Sequence, residues 1–268
     1  MSGSDKSFFK RINKRWPWLK ILVPVVILVM IAVVAIWPTG KEEGEIVVLT
    51  PMRMHVKVPE RPLRVLEGKK LAALTFDDGP SAATTPRLLD ILYEKNVPAT
   101  FFELGTAASA NPEIVKRVVN EGHELASHTM SHQNLATLSG GGVRSETDGA
   151  AAVFENIIGY RPKLVRPPYG SINDTVRANI GAPMILWSVD TLDWKYKNTA
   201  SIVGYTMSEV YDGAIILMHD IHPTSVEAVP TVIDTLRADG YEFVTVSELA
   251  SLRGVALVGG AAYGSFRP

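Results

Sequence analysis

Apolar and polar positions follow different rhythms in different parts of this chain. Residues 21–37 are 17 consecutive apolar or proline positions. At 1.5 Å per helical residue that run, with its flanks, approaches the roughly 30 Å of a hydrocarbon layer. Residues 38–68 are charged and broken by prolines, which predicts a linker with one candidate edge strand at 46–49. From residue 70 onward, short β-rich runs alternate with segments of helical period. Strands are predicted at 71–76, 100–103, 124–126, 164–165, 183–187, 214–218 and 243–246. Helices are predicted where Thr85-Pro86 precedes Leu88, Leu89, Ile91 and Leu92, from Pro112 to about Asn120, over 143–158, and over 225–239 with Pro230 as a possible kink. Such alternation is the pattern of βα units around a parallel sheet or barrel, here spanning 69–254. The Gly-rich stretch 255–268 reads as a loosely ordered tail.

With 46% hydrophobic and 21% charged residues the chain is of globular composition, which excludes a long disordered, collagen-like or multi-span protein. The net charge of −1 hides an asymmetry, since residues 1–20 carry +5 and the remainder −6. That basic segment on the N-terminal side of the apolar run, with Trp16, Trp18 and Trp37 at its edges, predicts a single-pass anchor with a cytoplasmic N-terminus and the rest outside. Ile36-Trp37-Pro38 is a poor cleavage site, which disfavours a removed signal peptide. The acidic remainder lacks the footprint of a nucleic-acid binder. No cysteine is present, so any metal must use histidine and carboxylates.

Five polar clusters come at or just beyond the ends of predicted strands: Asp77-Asp78, Ser127-His128, residues 166–170, residues 190–194 and His219-Asp220. In α/β barrels that face gathers catalytic side chains. His128 and His132 are spaced i, i+4, so one helical turn would point both rings at one metal, and a carboxylate from Asp77-Asp78 would complete the set. Alone, the histidine pair reads more readily as two solvated residues on a helix, and Asp-Asp-Gly-Pro as a turn. His123 reads as a structural histidine, Asp220 as local support, Trp187 as packing, and His222 as either cleft lining or solvated.

Taken in order, TFDDGP at 75–80, HTMSH at 128–132, RPPYG at 166–170, DTLDW at 190–194 and LMHD at 217–220 resemble the five motifs of carbohydrate esterase family 4, the polysaccharide deacetylases that share the NodB homology domain. The resemblance covers residues 70–252. It implies a distorted (β/α) barrel that hydrolyses acetyl groups from N-acetylated sugars. It implies Asp78, His128 and His132 as ligands of one divalent metal, zinc first, with cobalt, iron or nickel accepted by the same donors. It leaves Asp77 as general base, Arg166 as its partner, the backbone N–H of Tyr169 as oxyanion donor, His219 as general acid and Asp193 as its support, with Asp190 able to share either of the two supporting roles. Pro168 would stiffen the loop under Tyr169, and Tyr169, Trp194 and Pro168 are the expected substrate contacts.

Asp77-Asp78 and the stretch 219–223 are most similar to membrane-anchored peptidoglycan N-acetylglucosamine deacetylases. Relatives acting on N-acetylmuramic acid typically carry Asn as the second motif-one residue. The expected partners are therefore peptidoglycan or a related N-acetylated polysaccharide and the membrane, with no nucleic acid and no obligate protein partner. A chitin-like or exopolysaccharide substrate, a wall-binding module without turnover, and a hydrolase of another acyl amide or ester remain as alternatives.

Overall fold

The computed structural model describes residues 66–268. The basic segment 1–20, the apolar run 21–37, nearly all of the linker and the candidate strand at 46–49 lie outside the described residues. Among the described residues no helix is long and apolar enough to cross a membrane.

The elements run β1 (Lys70–Asp77), α1 (Thr85–Glu94), β2 (Thr100–Glu103), α2 (Gly105–Ala110), α3 (Pro112–Asn120), β3 (Glu124–Ser127), α4 (Gly140–Ile158), α5 (Asp174–Asn179), β4 (Met184–Ile185), β5 (Val189–Asp190), α6 (Asp193–Tyr196), α7 (Thr199–Glu209), β6 (Ala214–His219), α8 (Pro223–Ala238), β7 (Tyr241–Phe243), α9 (Val246–Leu252) and β8 (Ala262–Tyr263). The predicted helices are present to within three residues at each end. Pro230 sits inside α8 without ending it, because Val226, Val229, Val232, Ile233 and Leu236 bury one face of that helix in the core.

β1 is central and buried on both faces, the condition under which parallel strands read as continuous apolar runs. Side chains alternate across it with period two. Ala72, Leu74 and Phe76 pack outward against Leu88, Leu89 and Leu92 of α1 and Val229 and Val232 of α8. Leu71 and Ala73 pack inward with Phe102, Ile185 and Ile215. Thr75 and Asp77 continue that inner row to the end of the strand.

Strand pairing runs around a ring that is unpaired between β4 and β5. β1 pairs in parallel with β2 on one side and β6 on the other, β2 pairs with β3, Ser127 bridges Val165, and Val165 bridges Met184 of β4. β5, just beyond β4, returns to β6. The expected (β/α) barrel is therefore present and distorted: the predicted strand at 164–165 is a single bridge, and the one at 183–187 shortens to Met184–Ile185.

Two expectations are corrected. The strand predicted at 243–246 ends at Phe243, because Thr245 caps α9 and forms a reciprocal capping box with Glu248. The C-terminal stretch is not loose: β8 pairs with β4, Ser265 bridges Ala214, and Phe266 is buried in the inner cluster. Gly213 makes this possible, since at φ +90° an added Cβ would lie 2.0 Å from the carbonyl oxygen of Phe266. Phe266→Ala is thus expected to destabilise the protein by about 3–5 kcal/mol, the usual range for deleting a buried phenylalanine ring. A lowered urea midpoint would register it, and an unchanged midpoint would show that the tail contributes no core.

Candidate active site

Register brings the predicted clusters to one end of the ring. Asp77 closes β1 directly beside His219, which closes β6, while His128 follows the last residue of β3 and Arg166 follows the Val165 bridge. Parallel strands all present the same end, so residues distant in sequence meet there.

Asp78, His128 and His132 converge so that one ligand atom from each lies within 4.8 Å of the other two. His132 Nε2 is 3.3 Å and His128 Nε2 3.6 Å from Asp78 Oδ1. His128 Nδ1 lies 2.7 Å from the carbonyl oxygen of Arg166, which can only accept, so Nδ1 carries the proton and the Nε2 lone pair faces Asp78. Burial pushes the His128 imidazole down to about 3, keeping it neutral as a metal ligand must be. Asp78 Oδ1 is buried without a hydrogen-bond partner, a cost that a cation at this point would remove. Two imidazoles and a carboxylate oxygen suit a divalent transition metal.

The two histidines do not share a helical turn, contrary to the reading of their spacing. Residues 128–132 form a bend in which Thr129 and His132 take positive φ of 72° and 62°, and Asp78 across from them has φ 74°. Non-glycine residues in this region are strained and persist only where surroundings impose them. Here the N–H groups of Gly105 and Thr106, opening α2, donate to the carbonyls of Thr129 and Met130 at 2.9 and 3.0 Å.

Asp77 is held by Arg166, whose Nη1 donates to Asp77 Oδ1 at 2.6 Å. The guanidinium is fully buried. It also donates to Thr75 Oγ1 and to the carbonyls of Ile185 and Leu186, and it lies 4.0 Å over the Phe102 ring and 5.7 Å from Trp187. Trp187 is thus packing, as expected. Burial pushes the Asp77 carboxyl up and the Arg166 charge pulls against it. Its second oxygen, Oδ2, faces His128 Nε2 at 3.6 Å.

His219 Nδ1 lies 2.8 Å from Asp193 Oδ1, while Asp193 Oδ2 accepts from the His219 backbone N–H at 2.7 Å and from the Ser225 hydroxyl at 2.6 Å. Burial alone would lower His219, but the bond to Asp193 and its charge outweigh it and push the imidazole up to about 9. Asp193 is held below the usual carboxylate range, since bonds from His219 and Ser225 outweigh its own burial.

The remaining candidates divide between rim and support. Tyr169, at φ 62°, has its ring exposed and edge-on to His132 at 4.7 Å. Trp194 is half-exposed. Pro168 is buried, so it stiffens the loop rather than offering surface to a sugar as expected. Asp190 accepts from Leu192 N–H and shapes that turn, and supports neither Asp77 nor His219 by a direct bond. Asp220 accepts from the Thr85 hydroxyl at 2.5 Å, as a support residue would. His123 accepts from Ala99 N–H and packs edge-on to Phe101, a structural role. His222 occupies the position before α8 without a side-chain capping bond, its ring 6.0 Å from that of His219. Thr75 and Ser225 were not anticipated. Period two in β1 places Thr75 on the face of Asp77, a signal available in the sequence, whereas Ser225 has no local signal.

Comparison with known proteins follows the same line. The sequence model of the family described as "Polysaccharide deacetylase" matches residues 65–182. The peptidoglycan-N-acetylglucosamine deacetylase PgdA of Listeria monocytogenes is 47% identical over 195 residues, covering 72% of this chain and 41% of that protein. The peptidoglycan-N-acetylmuramic acid deacetylase PdaC of Bacillus subtilis is 40% identical over 214 residues, covering 80% of this chain and 46% of that protein. The chain thus spans less than half the length of either. A family 4 acetyl xylan esterase from Clostridium thermocellum, solved with a cobalt ion, superposes with a TM-score of 0.70 at 35% identity, covering 73% of this chain and 98% of that one.

Because Asp193 raises His219, replacing it by Asn is expected to move the alkaline limb of the pH–rate profile to lower pH. The sign follows from the role the family resemblance implies: a general acid at His219 would act protonated, its proton is retained up to the raised value, and removing the negative neighbour releases it earlier. A bound cation pulls the same limb downward in both proteins, so the comparison is between the two profiles. Superimposable limbs would overturn the assignment.

Proposed function

The chain belongs to the polysaccharide deacetylase family, and from that premise we propose that it is a metal-dependent hydrolase removing acetyl groups from N-acetylglucosamine residues of peptidoglycan. The observation that carries this reading is the placing of Asp77 and His219 side by side in register at one end of the barrel, with the Asp78, His128 and His132 set beside Asp77. One buried carboxylate and one raised imidazole form a base and an acid whose environments push them in the directions their roles require.

Asp78, His128 and His132 would hold a divalent metal, which would supply polarisation of the acetamide oxygen and a more acidic water. Zinc is the first choice, and the same donors accept cobalt, iron or nickel. The protein's own groups do the rest. Oδ1 of Asp77 is committed to Arg166, so Oδ2 takes the proton as water adds to the carbonyl carbon. The backbone N–H of Tyr169 is the donor assigned to the developing oxyanion. His219, with Nδ1 committed to Asp193, gives a proton from Nε2 to the sugar nitrogen as the C–N bond breaks. Acetate and a free amine are the products.

Peptidoglycan is favoured by the Listeria relative, and N-acetylmuramic acid is the second reading because the Bacillus relative acts on that sugar. The residues 21–37 anchor would hold the barrel outside the membrane on a tether of roughly 30 residues, each reaching up to about 3.3 Å.

Acetate release from purified peptidoglycan, abolished by chelator and restored by metal, with glucosamine rather than muramic acid newly exposed, is the expected result. Newly exposed muramic acid would move the reading to the second sugar, and no acetate from metal-loaded protein would overturn the activity. Asp77→Asn should lose turnover while retaining metal, whereas His128→Ala should lose both. Full activity in either variant would overturn the mechanism. Removing residues 1–40 is expected to release active protein into the soluble fraction, and a truncated form that stays wholly with membranes would sink the anchor.

A further inference from the structure

The bend that carries His128 and His132 is fastened from behind by one carboxylate. Glu146 projects from the middle of α4 and is buried, a position from which an acid is normally excluded unless it has partners. Its Oε2 accepts from the Ser131 backbone N–H at 2.8 Å, and its Oε1 accepts from the Ser131 hydroxyl at 2.7 Å and the Gln133 side-chain amide at 2.9 Å. No cation pairs with it among the described residues. Every one of these donors belongs to residues 131–133, the segment that brackets His132.

The next turn of α4 completes the cradle. Met130 fills the gap between α2 and α4, where an added Cβ on Gly105 would lie 2.5 Å from the Met130 sulfur and 3.1 Å from Ala150 Cα. The bend is therefore gripped by the α2 amides on one side and by Glu146 on the other. Between these anchors lie Thr129 and His132, whose positive φ an unrestrained chain would relax.

We propose that Glu146 is a positioning residue for the metal site: by holding Ser131 and Gln133 it keeps the 128–132 bend strained, so that His132 meets Asp78 and His128 before a metal arrives. This inference rests on the metal-dependent reading above. It goes beyond the ligands themselves, since Glu146 touches none of them. If the bend is preformed, binding does not have to order it; if Glu146 is removed, ordering of the bend is charged against affinity.

The test is titration of chelator-treated full-length protein with cobalt, using competition with a coloured chelator to read the dissociation constant. Glu146→Ala is expected to weaken binding about tenfold to a hundredfold, the usual range for residues that support ligands. Glu146→Gln should recover most of that loss, because its amide oxygen still accepts from the Ser131 N–H and its nitrogen can donate to the Ser131 hydroxyl. Phe154→Leu, which thins the core under the same helix, supplies the control: it should lower the melting temperature and leave the dissociation constant unchanged. Wild-type affinity in Glu146→Ala, or an equal loss in Phe154→Leu, would overturn the proposal. Failure of the wild-type protein to bind cobalt, zinc, iron or nickel would instead overturn the metal-dependent reading and this inference with it.

Discussion

A guanidinium with no exposed surface has to be answered on every side, and Arg166 is answered by the whole mouth of the barrel. Its charge meets Asp77 on β1, its remaining N–H groups meet Thr75 on the same inner row and the carbonyls of Ile185 and Leu186, and its face lies on Phe102 of β2. The backbone of the same residue accepts from His128 Nδ1 and donates to Ser127. One residue therefore sets both the aim of the Asp77 carboxylate and the tautomer of His128. Removing one member of a buried ion pair typically costs about 3–5 kcal/mol, because the other is left uncompensated. The pair is thus a structural constraint that the chemistry exploits.

The inner row of β1 explains how such a pair can exist. From Leu71 through Ala73 and Thr75 to Asp77, the side chains pass from apolar to hydroxyl to charge over four inward positions, and the charge appears only where the strand ends. The outer row is apolar from Ala72 through Leu74 to Phe76 against the helices. The barrel thus keeps an oil-like interior along most of its length and a polar one at its mouth. Low exposure at that mouth disfavours charge on both Asp77 and His219, and their partners decide the outcome. Burial pushes the Asp77 carboxyl up against the pull of Arg166, and burial would push His219 down but is outweighed by the bond to Asp193 and its charge, which raise it.

What was legible in the sequence was the chemistry and the order of the elements. Asp77, Asp78, His128, Arg166 and His219 sit at or just past the ends of β1, β3, the Val165 bridge and β6, so strand periodicity and residue type locate them together, while His132 lies further along the bend after β3. The long helices were legible because their apolar positions repeat at helical spacing and their ends carry Pro, Ser or Gly signals. Less legible were features set by contacts between distant segments. The bend at 128–132 looks helical by spacing, yet α2 and Glu146 impose left-handed residues that no local preference favours. The C-terminal stretch looks loose by composition, yet the missing side chain of Gly213 lets its backbone come close, and Phe266 is buried in the core. Ser225 joins the Asp193 network only because α8 begins where β6 ends.

Strain is distributed unevenly in this fold, and its placement is informative. Asp78, Thr129, His132, Tyr169 and Leu192 all take positive φ, and each lies in or beside one of the loops that carry site residues. An isolated left-handed residue of this kind costs of order 1–3 kcal/mol. Such a cost is tolerable only where the surrounding elements are themselves stable, and here they are the parallel strands of the barrel and the helices packed on its outer face. The stable half of each βα unit lies along the strands, and the strained half lies in the turns that follow them. Stability and geometry are consequently coupled in one direction: the ring can lose a turn's conformation without losing its core, whereas the site cannot keep its ligand geometry if the ring loosens. The barrel is in this sense the rigid support on which several unfavourable backbone conformations are held together at one end, close enough for Asp78, His128, His132, Asp77 and His219 to be gathered there.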